Sequence, residues 1–187
     1  LPPNTEYDMS LKAPTLRAER AVFERGDWTV FEPRTHEAAR MRKLQGYLGC
    51  VSQVDHAIGE LLDWLAQAGI ADDTIVVYAS DHGDYVCQHG IMEKAPGICS
   101  DAITRVPFFW RWPGRIAAGH RCEQLVEAVD VSATLCALAG IDPMVTGDGR
   151  DISGLLRGEN DPVRDIAVTE HAWSKSVRKG QYRFVYY

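Results

Sequence analysis

The segment from Thr74 to Asp84, Thr-Ile-Val-Val-Tyr-Ala-Ser-Asp-His-Gly-Asp, constrains the fold more than any other stretch of the chain. Its apolar, β-branched run is too short for a helix and is bounded by turn-forming residues, which predicts a strand at Ile75–Tyr78 that is buried on both faces. Because ligands of open α/β sheets bind beyond the carboxyl ends of the strands, Asp81 and His82 stand where such a fold carries its chemistry. Gly83 would let the backbone turn where a side chain would clash.

A long amphipathic helix is predicted before this strand, between Thr35 and Ala68. Apolar residues recur there at steps of three and four, which is the pattern of one apolar helix face. Thr35 is a candidate N-cap, and Gly69 is a candidate stop at the other end. A helix, a short turn and a buried strand form an αβ unit, which predicts an α/β fold with a mostly parallel sheet flanked by helices.

Shorter elements are predicted along the rest of the chain. The four prolines of residues 1–34 favour irregular structure there. Asp130 is expected to N-cap a helix that runs to Leu138 and ends at Gly140. Composition predicts the remaining elements, which are strands at 106–110 and 166–169, a turn and short helix at 149–156, and a turn followed by a strand at 178–187.

Composition limits the classes of function. The formal net charge of −6 argues against nucleic-acid binding, which needs a basic surface. No stretch approaches the roughly 20 apolar residues of a membrane span. A length of 187 residues with 45% hydrophobic and 25% charged residues is ordinary for a globular protein with a real core.

Asp81 and His82 are candidate metal ligands by their chemistry alone. Aspartate supplies a hard oxygen ligand, and histidine supplies a nitrogen ligand or a proton carrier. An Asp-His pair after a strand is common, however, and by itself it more often has no metal. The residues that follow strengthen the metal interpretation: His89-Gly90, Lys94, Arg105-Val106-Pro107 and Arg111-Trp112-Pro113-Gly114.

This combination resembles the sulfatase family of the alkaline-phosphatase-like superfamily. The family pattern is S-D-H-G-(D/E), then H-G, K, R-V-P and W-P-G, and the Asp-His pair is most similar to the subgroup of choline-sulfatase-like enzymes and phosphonate monoester hydrolases. The resemblance implies part of an alkaline-phosphatase-like fold. It implies that residues 1–160 are the C-terminal portion of the catalytic domain and that residues 161–187 begin a C-terminal subdomain. The chain would then be a fragment that is incomplete at both ends.

The resemblance also implies roles for single residues. Asp81 and His82 match metal ligands of the family, and Lys94 matches the lysine that contacts the sulfate. His89 matches the histidine of the H-G step, which either positions the substrate or holds its loop by hydrogen bonding. The family metal is usually Ca²⁺, but Ca²⁺ favours oxygen ligands, so His82 leaves Mn²⁺ and Zn²⁺ open.

The family's nucleophile has no counterpart in this sequence. It is a formylglycine made from the Cys or Ser of a C/S-x-P-x-R motif, and none of the five cysteines stands in that context. We therefore expect the formylglycine in a preceding segment and the 187-residue chain by itself to be inactive.

Three functions follow as hypotheses. The first is part of a metal-dependent hydrolase of small sulfuric esters, the second is a hydrolase of phosphonate or phosphate esters, and the third is a truncated binding module without catalysis. The compartment and homo-oligomerisation stay open.

Overall fold

A computed structural model describes residues 2–3, 5, 8, 10, 14–25, 36–91, 94, 99–142, 147–171 and 174–186. The chain divides into two compact units, each made of two stretches of sequence. The first unit contains residues 1–64 and 82–106, and the second contains residues 65–81 and 107–187. The predicted domain boundary at residue 160 stays a prediction.

Helix α1, Pro14–Arg25, lies in the stretch that was expected to be irregular, so that prediction was wrong. Pro14 begins the helix, where the missing N–H of proline would have had no intrahelical partner. The residues after it are mostly good helix formers. Arg20 and Glu24 add an ion pair one turn apart, with 2.7 Å between Nε and Oε1.

The long helix α2 spans His36–Gln67 and confirms the predicted helix to within one residue at each end. The proposed N-cap, Thr35, lies outside the described residues. The predicted stop is confirmed, because Gly69 is left-handed with φ of 69°. The N–H of Gly69 donates to the carbonyl of Ala66 and that of Ile70 to Leu65, both at 3.1 Å, which is the Schellman ending of a helix.

The apolar face of α2 is largely exposed. Leu48, Val51, Val54 and Leu61 are between 44% and 54% accessible, although all belong to the amphipathic pattern that normally faces a core. The pattern therefore predicted the helix correctly, while much of its apolar face is exposed in the part of the chain that the structure describes.

Because this face is exposed, lysine substitutions on it should leave stability almost unchanged. We expect the double variant Val51→Lys/Val54→Lys to bind less of the fluorescent dye ANS, while the free energy of unfolding changes by no more than about 0.5 kcal/mol. The matched control, Ser52→Lys/His56→Lys, changes exposed polar residues of the same helix and should leave dye binding unchanged. A loss of several kcal/mol in the Val variant, measured by urea unfolding, would mean that the face is buried.

The second unit contains a two-stranded sheet of β1, Val76–Ala79, and β2, Phe108–Arg111. The strands are antiparallel, and Tyr78 stacks on Phe109 with 5.0 Å between ring centroids. A 3₁₀ turn at Ala71–Asp73 precedes β1. The predicted strand is confirmed with a shift of one residue, but it is not buried on both faces, since Val76, Val77 and Tyr78 are only half-buried.

A second sheet comprises β3, Ala167–His171, β4, Ser174–Lys179, and β5, Tyr182–Tyr186. Its order is β3-β4-β5, all antiparallel. Strand β4 was not predicted. The α/β class is confirmed, but each strand pair of the described residues is antiparallel rather than parallel. Short turns such as the one at Gly180 permit only antiparallel pairing, whereas a parallel pair needs a crossover of a dozen residues or more.

Three further α-helices lie among the described residues: α3, Asp101–Thr104, in the first unit, and α4, Asp130–Ala139, and α5, Ser153–Leu156, in the second. The predicted stop of α4 is confirmed, since Gly140 is left-handed with φ of 67°. In the part of the chain that the structure describes, no helix has the length and apolar composition needed to cross a membrane.

The predicted N-cap of α4 was wrong. Asp130 lies inside the helix and is fully buried, and its carboxylate accepts the N–H of Glu127 at 2.7 Å and that of Arg150 at 2.8 Å. The guanidinium of Arg164, itself almost fully buried, bridges Asp130 and Glu127. Asp130 therefore ties three segments of the second unit together instead of capping its own helix.

Candidate functional site

The predicted metal pair lies just beyond the carboxyl end of β1. Asp81 follows Ala79, the last residue of the strand, by two positions, and its side chain is exposed. The hydroxyl oxygen of Ser80 lies 3.5 Å from Asp81 Oδ1. His82 is also exposed.

One ring nitrogen of His82 is close to a backbone carbonyl, with 2.9 Å between its Nδ1 and the oxygen of Gly83. In the neutral tautomer that carries its proton on Nδ1, this contact is a hydrogen bond, and it orients the ring. The lone pair is then on Nε2, which is how metal-binding histidines are commonly oriented. The contact is thus compatible with a ligand role.

Gly83, which follows this pair, contacts helix α3. Its N–H donates to the carbonyl of Ile103 at 2.7 Å. A Cβ atom at this position would lie 2.0 Å from the carbonyl oxygen of Ala102. The expectation that a side chain would clash here is therefore confirmed, and the clash would be with backbone, which cannot rotate away.

We expect Gly83→Ala to destabilise the first unit by about 1–3 kcal/mol, because the backbone must move to accept the new methyl group. Urea unfolding of the variant would measure the loss. A matched control is Gly59→Ala in α2, where a Cβ atom would meet nothing within 4 Å. That substitution should stabilise the chain by about 0.5–1 kcal/mol, because alanine is the better helix former. Equal stability of the two variants would contradict the close approach of α3.

The other two predicted residues lie on the loop that follows. His89 is the central residue of a 3₁₀ turn at Gln88–Gly90, is half-buried, and has a left-handed backbone with φ of 54° and ψ of 21°. Lys94 is exposed in a turn. The structure therefore gives His89 a constrained backbone and leaves the Lys94 side chain accessible to an anion, while both assignments stay predictions.

The side chains of Asp81 and His82 are suitable types of ligand for a divalent cation, but they are only two ligands. A carboxylate and an imidazole suit Mn²⁺ or Zn²⁺ well and Ca²⁺ in part. Among the described residues, no group of three or more His, Cys, Asp or Glu side chains is arranged to hold a metal ion. Asp81 and His82 would thus contribute two of the ligands, and tight binding needs further ones.

Sequence reasoning missed a residue that packs against His89. Tyr85 is fully buried, and its ring meets that of His89 edge to face with 6.4 Å between centroids. The only local signal was an aromatic residue inside a polar loop. The contact depends on the left-handed backbone between the two residues, which the sequence pattern does not reveal.

Comparison with known proteins shows the family. Residues 18–141 match the model of the Sulfatase family. An arylsulfatase of Clostridium perfringens is 30% identical over 143 residues, which are 75% of this chain and 29% of that protein. A choline-sulfatase of Rhizobium meliloti is 29% identical over 167 residues, which are 86% of this chain and 31% of that protein.

The fold agrees with this match. The phosphonate monoester hydrolase of Silicibacter pomeroyi superposes with a TM-score of 0.73 at 22% identity, over 92% of this chain and 40% of that one. The solved neighbour has the alkaline-phosphatase-like fold of sulfatases, of which this chain presents a part. The chain spans less than a third of the length of the two curated relatives. With its matched residues, its strand-end Asp-His pair and this fold, the chain belongs to the sulfatase family.

Proposed function

We infer that the gene product containing this chain hydrolyses a sulfuric ester with the help of a divalent metal ion. The observation that carries this proposal is the position of Asp81 and His82 beyond the carboxyl end of β1 in a chain of the sulfatase family. Ligand sites of α/β sheets lie at such strand ends.

The proposed roles of the two residues follow from their chemistry. The Asp81 carboxylate and the His82 imidazole would hold the cation, with the contact between His82 Nδ1 and Gly83 fixing the ring. The cation would polarise the ester oxygens and lower the pKa of the nucleophile. We propose Ca²⁺ as the metal, with Mn²⁺ and Zn²⁺ open because of the nitrogen ligand.

Lys94 and His89 would act on the substrate itself. The exposed ammonium of Lys94 can approach a sulfate oxygen and stabilise the negative charge that develops on it. The imidazole of His89 can hold the ester or carry a proton. We propose that the formylglycine nucleophile is supplied from outside these 187 residues, because none of the cysteines stands in a C-x-P-x-R context.

The test is an assay of the gene product with 4-nitrophenyl sulfate before and after removal of metal by EDTA. We expect turnover to disappear with chelation and to return with Ca²⁺, Mn²⁺ or Zn²⁺, whichever the site prefers. Turnover that survives complete metal removal, verified by elemental analysis, would reject the metal-dependent mechanism. The 187-residue chain alone serves as the comparison, and we expect it to be inactive.

A phosphonate or phosphate ester is the second candidate substrate. The Asp-His pair favours it, because this pair resembles the subgroup that holds phosphonate monoester hydrolases as well as choline-sulfatase-like enzymes. Comparing kcat/KM for 4-nitrophenyl sulfate with that for 4-nitrophenyl phenylphosphonate would separate the two functions. A sulfatase should favour the sulfate, and the reverse preference would select the second candidate.

A further inference from the structure

The loop from Asp84 to Ile91 has an unusual backbone. Among the described residues, the non-glycine positions with positive φ are Val86 at 43°, Cys87 at 72° and His89 at 54°, and all three are in this loop. A left-handed conformation is uncommon for any L-residue and is a genuine outlier for a β-branched one such as Val86. Such conformations are energetically unfavourable and persist only where the surroundings enforce them.

Hydrogen bonds within the loop enforce part of this conformation. The carboxylate of Asp84 accepts the N–H of Val86 at 2.7 Å. The N–H of Gln88 donates to the carbonyl of Tyr85 at 2.8 Å, and that of Gly90 donates to Cys87 at 3.1 Å. Successive tight turns therefore bring residue 89 back beside residue 85.

Buried side chains anchor the loop to the first unit. Tyr85, Cys87 and Ile91 are fully buried. Burial raises the pKa of the Cys87 thiol, so the thiol keeps its proton at neutral pH and can donate to the carbonyl of Arg40, 3.8 Å from its sulfur. A thiol is a weak donor, so burial rather than this contact provides most of the anchoring.

The anchored loop sets the Tyr85 ring against His89. Their ring planes meet at 69°, with 6.4 Å between centroids, so the contact is edge to face. Tyr85 has no exposed surface, while His89 is half-buried. The tyrosine ring is thus a fixed surface, and the imidazole of the half-buried His89 rests on it.

We propose that Tyr85 is a positioning residue that sets the orientation of the His89 imidazole, and that the left-handed backbone at Val86, Cys87 and His89 is the structural means of bringing the two rings together. For catalysis, this inference rests on the proposed function, in which His89 meets the substrate. The positioning itself rests only on the geometry of the loop. Tyr85 would act through His89 and would not touch the ester.

The experiment combines kinetics with NMR on the gene product carrying Tyr85→Leu or Tyr85→Phe. Tyr85→Phe keeps the ring and should leave both the His89 imidazole resonances and kcat for 4-nitrophenyl sulfate unchanged. Tyr85→Leu removes the ring current and the contact. It should shift the His89 resonances and lower kcat about tenfold with KM within about twofold, since a misoriented group weakens the transition state more than the bound substrate.

Two controls separate positioning from general packing loss. Ile91→Ala removes another fully buried side chain of the loop, and at a comparable loss of stability it should leave the His89 resonances in place. A nuclear Overhauser effect between the Tyr85 ring and the His89 imidazole in the wild-type protein tests the contact directly, even if Tyr85→Leu does not fold.

The outcomes are distinguishable. Absence of that Overhauser effect, or unchanged His89 resonances in Tyr85→Leu, would overturn the proposal. A tenfold loss of kcat in Tyr85→Phe would assign the effect to the hydroxyl group of Tyr85 and not to its ring. That result would also overturn the proposal. Failure of the wild-type protein to hydrolyse any ester would reject the proposed function, while the NMR measurements would still decide whether the Tyr85 ring contacts the His89 imidazole.

Discussion

Replacing Asp81 by alanine should lower kcat/KM of the gene product for an aryl sulfate by about 10³-fold. Loss of a metal-ligating carboxylate removes several kcal/mol of transition-state stabilisation, and about 1.4 kcal/mol corresponds to a factor of ten in rate. Because the Asp81 side chain is exposed, the same substitution should change the free energy of unfolding by no more than about 0.5 kcal/mol. Steady-state kinetics, urea unfolding and the metal content per protein would be measured together.

Asp73→Ala is the matched control. Asp73 is an exposed carboxylate of the 3₁₀ turn that precedes β1, so it has the same charge at the other end of the same strand. We expect its kcat/KM to remain within about twofold of wild type, because surface substitutions away from a site have small effects. An Asp81→Ala protein that keeps both activity and metal would remove this residue from the proposed site.

The largest loss of stability should come from Asp130→Ala. The carboxylate is fully buried and contacts Arg164, whose side chain is only 5% exposed. Breaking a buried ion pair leaves an uncompensated charge, which costs about 3–5 kcal/mol. The loss also removes the acceptor for the N–H groups of Glu127 and Arg150. Burial raises the pKa of Asp130, and the hydrogen bond from Arg150 opposes that rise.

A double-mutant cycle would show how much of this cost is the pair itself. Arg164→Met alone should also be strongly destabilising. The double variant Asp130→Ala/Arg164→Met should lower the free energy of unfolding by less than the sum of the two single variants, because it leaves no unpaired buried charge within that contact. The exposed pair of Arg157 and Glu159, 3.3 Å apart, provides the control. Arg157→Ala should cost no more than about 1 kcal/mol. If the stability losses of Asp130→Ala and Arg164→Met were strictly additive in the double variant, Asp130 and Arg164 would act independently.

The sequence predicted elements whose signals are local. The limits of α2 follow from a period of three and four and from Gly69, and the end of α4 follows from Gly140, because each glycine supplies the left-handed residue of a helix ending. The position of Asp81 and His82 also follows from a local signal, a short apolar run that gives way to polar residues. Helix α1 was missed because the prolines around it outweighed the helix formers inside it.

Other features depend on residues far apart in the chain. Asp130 looks like an N-cap in sequence, yet its carboxylate is held by Arg150 and Arg164, which are 20 and 34 positions away. The prediction of a mostly parallel sheet assumed that β1 pairs with a parallel strand. In the described residues, β1 pairs with β2, and this pair is antiparallel. Amphipathic periodicity likewise indicates which face of α2 is apolar but not whether that face is covered.

By itself, then, the sequence determined the long helix, the strand before the Asp-His pair, the family and the candidate residues Asp81, His82, His89 and Lys94. Each depends on residue types at short, fixed spacing, which set backbone conformation and donor chemistry locally. Only the tertiary structure decided how these residues are held. It brought Gly83 against the backbone of α3, closed the left-handed loop that sets Tyr85 beside His89, and buried Asp130 with Arg164. Those contacts depend on the backbone conformation of the loop and on partners farther along the chain, so the spacing of residue types alone does not encode them.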